Sequence, residues 1–67
     1  MKYKKLVGEM AIKKISNRAI AELLDIHENS VAYKLSKGSF SIDECIKIKN
    51  AYFPELKLEE LFTLEKE

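Results

Sequence analysis

Two side chains in this sequence carry the reactive chemistry of nucleophiles and soft metal ligands: its one histidine, His27, and its one cysteine, Cys45. No second His or Cys stands at the short spacing that metal sites use, so neither a metal nor a cofactor is expected. A lone cysteine closes no internal disulfide, and on the apolar stripe of a helix Cys45 suits a small core residue. The chain has two glycines and no Gly-rich phosphate loop. No acid/base pair falls where a pocket is expected. An enzyme is therefore poorly supported. The remaining chemistry is non-covalent recognition by ammonium, carboxylate, amide and hydroxyl groups.

The charge for such recognition is unevenly spread. Up to Ser39 the chain has eight Lys and Arg against four Asp and Glu, a net +4; from Phe40 onward it has four against seven, a net −3. The overall +1 hides a basic front and an acidic tail. Solvated helix faces account for most charges of this kind. The sharper reading is that an anion meets the front part only.

Length and composition set the frame. The 67 residues make one small domain, residues 1–67, and 46% hydrophobic with 34% charged residues is a globular balance. A core this small supplies only a few kcal/mol, so tight helical packing must serve, with self-association as a further support. No apolar run reaches the roughly 18–20 residues of a membrane span. Gly8, Glu9 and Lys13 interrupt any signal-peptide core after the basic Met1–Lys5 stretch. A single cysteine fits a reducing cytosol, so a cytoplasmic location is expected.

These groups must be positioned by helices, because no segment of any length alternates as a strand does. Tyr3, Leu6, Val7, Met10 and Ala11 recur at three and four, which predicts an amphipathic helix over Lys4 to Ile15. Ser16 is a good N-cap for a second helix, Asn17 to Leu24, carrying Ile20, Leu23 and Leu24. Asp25-Ile26-His27 breaks it, and Asp tolerates the left-handed backbone of a tight turn. A third helix runs from Glu28 to about Ser36 on Val31 and Leu35, ended by Gly38. Ser41-Ile42-Asp43-Glu44 is a capping box that opens a fourth helix, Ile42 to Tyr52, with Ile42, Cys45, Ile46, Ile48 and Tyr52 apolar, and Pro54 stops it. Leu58, Leu61, Phe62 and Leu64 suggest a short fifth helix, poorly capped by Lys57. The expected fold is all-α, a compact bundle of four to five short helices.

Only about three residues join the second and third helices, the arrangement of a helix-turn-helix, here over about residues 17–36. Ala21 is small where the two backbones approach, Ile26 plugs the turn and Val31 anchors the third helix inward. The run from Asn17-Arg18-Ala19-Ile20-Ala21-Glu22 through Leu23-Leu24-Asp25-Ile26-His27 to Glu28-Asn29-Ser30-Val31 resembles the helix-turn-helix of Cro/cI-type (XRE, lambda-repressor-like) regulators. The continuation through Lys34-Leu35, Phe40 to Glu44 and Tyr52-Phe53-Pro54 is similar to small phage-type members, so the likeness spans nearly the whole chain. The chain departs from the family pattern at Asp25, where Gly is usual, at Asn17, where Gln is usual, and at His27, where Ser or Thr often caps. The loop before Phe40 is a residue short.

The resemblance implies a DNA-binding module whose third helix enters the major groove. By position, Glu28, Asn29 and Tyr33 match the family's base-reading sites, flanked by His27 and Lys34. Their chemistry is compatible: Asn29 can pair with adenine, Glu28 can accept from cytosine N4, and Lys34 can donate to guanine or phosphate. Tyr33 suits a thymine methyl or a phosphate. Ser16 and Asn17 match the family's backbone clamp at a helix N-terminus. Arg18, Ser30, Lys13, Lys14, Lys37 and Ser39 are further phosphate candidates. Each has a plainer structural reading. Glu28 complements the helix dipole, Asn29 and Ser30 act as caps, Tyr33 lies half-buried on the surface, His27 is a turn residue, and the lysines keep the chain soluble.

Two classes of function follow. The first is a sequence-specific transcriptional regulator, a repressor of phage or prophage type, binding palindromic double-stranded DNA as a homodimer. Its candidate dimer surface is the leucine-rich tail over about residues 55–67 (Leu56, Leu58, Leu61, Phe62, Leu64); the plainer alternative is that these residues close the base of the bundle. The second is an interaction protein on the same scaffold, an antirepressor or antitoxin-like partner. Neither calls for a membrane or a small-molecule substrate.

Overall fold

The computed structural model describes residues 3–64. Five helices follow one another: α1 (Lys4–Lys13), α2 (Asn17–Leu24), α3 (Glu28–Lys37), α4 (Ile42–Tyr52) and α5 (Leu58–Leu61). There is no strand among the described residues, and no helix there is long and apolar enough to cross a membrane. The all-α expectation holds, and α2 and α4 begin and end where capping chemistry put them.

Helix ends are set by a repeated device. Lys14, Asp25 and Gly38 follow α1, α2 and α3 in the left-handed conformation. The next amide then reaches back over the last turn: Ile15 N–H donates to Met10 O at 2.8 Å, Ile26 to Ala21 O at 3.0 Å and Ser39 to Lys34 O at 3.1 Å. Such a reversal satisfies carbonyls that a helix end otherwise strands. It also corrects two boundaries. α1 stops at Lys13 rather than Ile15 because the reversal falls on Lys14, a residue with no intrinsic liking for it. α3 runs to Lys37, one residue beyond Ser36, because Gly38 is the reversing residue. α5 ends at Leu61, short of the Leu64 in its apolar pattern.

At helix starts, Ser16 Oγ accepts from Ala19 N–H at 3.1 Å. Ser41 and Glu44 form the full capping box, Glu44 Oε1 accepting from Ser41 N–H at 2.9 Å and Ser41 Oγ from Glu44 N–H at 3.2 Å. α5 begins at Leu58, and Lys57 before it provides no side-chain cap.

The core joins all five helices. Leu6, Ile20, Val31, Ile48, Phe53 and Leu61 are its most completely enclosed side chains, with Tyr3, Met10, Ala21, Leu24, Leu35, Phe40 and Cys45 also buried. No polar or charged residue is buried among those described. Tyr3, Phe40 and Phe62 cluster with ring centroids 5.5–6.2 Å apart, Phe62 meeting the other two edge-on and Tyr3 tilted 34° against Phe40. Phe40 N–H donates to the Tyr3 hydroxyl at 3.2 Å, tying the start of α1 to the α3–α4 loop. Burial is the main cause raising the Tyr3 phenol pKa, against the lowering effect of that hydrogen bond.

Three expectations of burial are corrected. Ala11 is exposed because Leu6 and Met10 carry the inward face of α1, and Ile42 and Ile46 are exposed because Cys45 and Ile48 carry that of α4. The tail does not present a leucine surface. Leu61 is fully enclosed, and Leu56, Leu58 and Phe62 pack against the core. Of the five tail residues only Leu64 is exposed, and residues 65–67 of that stretch lie outside the described residues.

Candidate nucleic-acid interface

Asp25, Ile26 and His27 are the whole connection between α2 and α3, and the two helices pack together. Ala21 on α2 is buried, and Ile26 in the turn is half-buried against the core. α3 is held from below by Val31 and Leu35. Its remaining residues divide by helical phase: Glu28, Asn29, Ala32, Tyr33, Ser36 and Lys37 are exposed, while Ser30 and Lys34 lie half-buried at the flanks.

His27 takes the role that Ser or Thr usually has. Its Nδ1 accepts from Asn29 N–H at 3.0 Å, capping α3. Neither Asn29 nor Ser30 is the cap, and among the described residues the Asn29 side-chain amide makes no hydrogen bond within the chain. The amide is left with two donors and an acceptor facing outward. Tyr33, one turn further along, is 61% exposed, well above the half-buried placement of the plainer reading. Ala32 and Ser36 share this face, and their spacing of three from Asn29 and from Tyr33 respectively was the signal that would have included them.

Two candidate contacts are engaged within the fold. The Lys34 ammonium sits 3.1 Å from Glu44 Oε1, binding α3 to α4. Burial works to raise the Glu44 carboxyl pKa, but the Ser41 N–H, the Lys34 ammonium and the Ser41 hydroxyl outweigh it and hold it below the ordinary carboxylate value. Reaching DNA would strip Lys34 from that carboxylate. The Lys13 ammonium donates to Tyr52 O at 2.7 Å, pairs with Glu55 at 2.6 Å and lies 5.0 Å from the centre of the Phe53 ring. It fastens α1 to the end of α4.

The other phosphate candidates keep their outward placement. Ser16 caps α2 through its lone pairs and retains its hydroxyl proton; it is exposed, as are Lys14, Arg18, Lys37 and Ser39, with Asn17 half-buried. Arg18 lies 3.8 Å from Glu22, and both side chains are more than 70% exposed, so water screens that pair heavily.

Set against protein-family models, curated proteins and solved structures, the chain matches none.

One feature was not anticipated. A shallow groove of about 360 Å³ runs beside the turn, lined by Arg18, Ala21, Glu22, Asp25, Ile26, His27 and Glu28. Three carboxylates against one guanidinium make it anionic. Across residues 17–37 the three cations Arg18, Lys34 and Lys37 are matched by Glu22, Asp25 and Glu28. The basic excess of the front part therefore lies mostly in and just after α1, and the exposed face of α3 offers an amide and a phenol more than net charge.

Proposed function

We propose that this chain is a DNA-binding transcriptional regulator of Cro/cI type, a repressor of phage or prophage kind that works in the cytoplasm. α2 and α3 act as its helix-turn-helix, and α3 lies in the major groove. The observation that carries this is the pairing of Asn29 and Tyr33, one turn apart and open to solvent on a helix anchored from behind, with the Asn29 amide not consumed by capping. Glu28 and His27 flank them at the end of α3 nearest the bases. Lys14, Arg18 and Lys37 meet phosphates by charge, and Ser16, Asn17, Ser30 and Ser39 by hydrogen bonds. No catalytic step belongs to this reading.

Recognition of a palindrome calls for two copies whose α3 helices are about 34 Å apart. Two bodies of 27 × 26 × 22 Å in contact have centres closer than that. Each α3 must therefore sit on the outer half of its copy, which a surface helix readily does.

The test is selection from random duplexes by the purified chain at two salt concentrations. Three phosphate-bound cations per copy give a dimer a slope of about −5 in log affinity against log salt. An enriched symmetric motif with that slope supports the reading, and binding to no duplex removes it.

A second reading draws on the anionic groove. An interaction module would dock a cationic segment of another protein along Glu22, Asp25 and Glu28. Replacing Asn29 and Tyr33 separates the two: a DNA reader loses sequence preference, whereas a groove-driven partner keeps its ligand.

A further inference from the structure

We propose that the outer face of α4 pairs with the same face of a second copy of this chain, the two helices running antiparallel. This deepens the dimer of the proposed function, but it is read from α4 alone and is measured without DNA. Ile42 is 66% and Ile46 41% exposed, one turn apart on one helix, whereas the other exposed aliphatics, Ile12 on α1 and Leu64 after α5, stand singly. Asp43 and Lys47, also one turn apart, flank them, and Asn50 continues the stripe; all three are exposed. Residues four apart share a helix face, and Cys45 and Ile48 fill the opposite one. Among the described residues Asp43 and Lys47 form no ion pair with each other or with any other group.

That pattern is self-complementary under one symmetry only. In an isologous pair each contact occurs twice. An antiparallel pair with its two-fold axis level with position 45 sets Asp43 opposite Lys47 of the other copy, and Lys47 opposite Asp43. Ile46 then meets its own counterpart near the axis, and Ile42 settles between Ile46 and Asn50 of the other helix. A parallel pair brings no such charge match. Two ion pairs thus run beside an isoleucine seam, which buries the largest apolar side chains that the fold leaves in water on α4.

The face is one short helix, small beside the roughly 1,200–2,000 Å² that stable interfaces bury. Association is therefore weak, with half-dimerisation at about 10–500 μM. Two half-sites on one duplex would supply the missing stability by raising effective concentration.

Sedimentation equilibrium of the full chain at low salt tests this. The chain is expected to pass from monomer to dimer across that concentration range. Ile46→Asp abolishes the dimer. Lys47→Asp, at mid-helix, weakens it at least tenfold, as does Asp43→Lys, which also loses a favourable charge in the first turn of α4. The double exchange Asp43→Lys with Lys47→Asp restores association to within a few-fold, and circular dichroism verifies that every variant folds. A monomer throughout the range, or a double exchange as weak as the single ones, overturns the proposal. A monomer that still selects a duplex leaves the DNA reading standing, and a dimer that selects none leaves this pairing standing.

Discussion

Lys34 Nζ on α3 and Glu44 Oε1 on α4 lie 3.1 Å apart, and the same carboxylate oxygen accepts the Ser41 N–H that opens α4. One carboxylate therefore caps one helix and clamps another. Its pKa is lowered by folding: burial, the largest single influence, raises it, but the Ser41 and Lys34 hydrogen bonds together prevail. The unfolded chain thus binds the proton more readily. The stabilisation is complete above the ordinary carboxylate value of 4.5 and is lost as pH falls through the folded-state value below it. Urea unfolding across pH 3–7 is expected to show that loss. Glu44→Gln keeps the capping geometry but lowers stability at neutral pH by about 1–2 kcal/mol and flattens the acid-side decline. An unchanged pH profile in the variant would show that the clamp contributes nothing.

Gly8 lies inside α1, and a Cβ built on it meets nothing within 4 Å. The helix carries the entropic cost of glycine with no packing return. Gly8→Ala should stabilise the chain by about 1 kcal/mol and raise its melting temperature by roughly 4–8 °C. A calorimetric scan showing no rise would mean that α1 is not helical at this position.

Helix positions were readable in the sequence wherever local chemistry decides them. Ser16, the Ser41–Glu44 box, Gly38 and Pro54 each act over three or four residues, and the elements they bound fall where expected, α3 to within one residue. Two kinds of feature were not readable. A left-handed Lys14 breaks its own local preference, so it is imposed by the packing of α1 against the rest and has no sequence signature. The destinations of long side chains are tertiary facts: nothing near Lys13 or Lys34 in sequence announces that one reaches Tyr52 and Glu55 and the other Glu44. For the same reason the leucine pattern of the tail did not distinguish an outward surface from the floor of the core. On α3 the stripe of Val31 and Leu35 was enough to place Asn29 and Tyr33 outward, but the cap formed by His27 was visible only in the structure.

Lys14 is in the left-handed region at φ 59°, where a side chain costs about 1 kcal/mol. Lys14→Gly should recover that cost and raise stability by a similar amount, with a smaller gain for Asp25→Gly because Asp tolerates the conformation better. If Lys14 also contacts a phosphate, the stabilised variant binds DNA more weakly, and its salt slope falls by about 1 per copy. Chemical denaturation and binding titrations at several salt concentrations read the two effects separately.

Lys13 and Lys37 make a contrasting pair. Lys13 is fastened to the Tyr52 carbonyl and the Glu55 carboxylate, whose pKa is held low chiefly by that Lys13 hydrogen bond. Lys37 is exposed in the last turn of α3. Lys13→Ala should lower stability and leave the salt dependence of DNA binding unchanged. Lys37→Ala should leave stability within about 0.5 kcal/mol and reduce the salt slope by about 1 per copy. The opposite assignment would return Lys13 to the interface.

Asn29 and Tyr33 are exposed, and the Asn29 amide makes no hydrogen bond within the chain among the described residues. Replacing either with alanine removes no core packing, so stability should stay within about 0.5 kcal/mol. What should change is base preference. An amide paired bidentately with adenine is worth about 1–3 kcal/mol against the wrong base, so Asn29→Ala should flatten one position of the selected motif while affinity for unrelated duplexes is retained. Tyr33→Ala should flatten a neighbouring position if the ring packs on a thymine methyl, or weaken all sequences alike if its hydroxyl holds a phosphate. His27→Ser supplies the control for α3 itself: serine is the stronger cap, so it should preserve or improve stability while leaving Asn29 in place. Repeating the duplex selection with these three variants reads all of this at once. An identical motif from Asn29→Ala and from the unaltered chain would mean that α3 does not read bases, and the anionic groove would then become the surface to pursue.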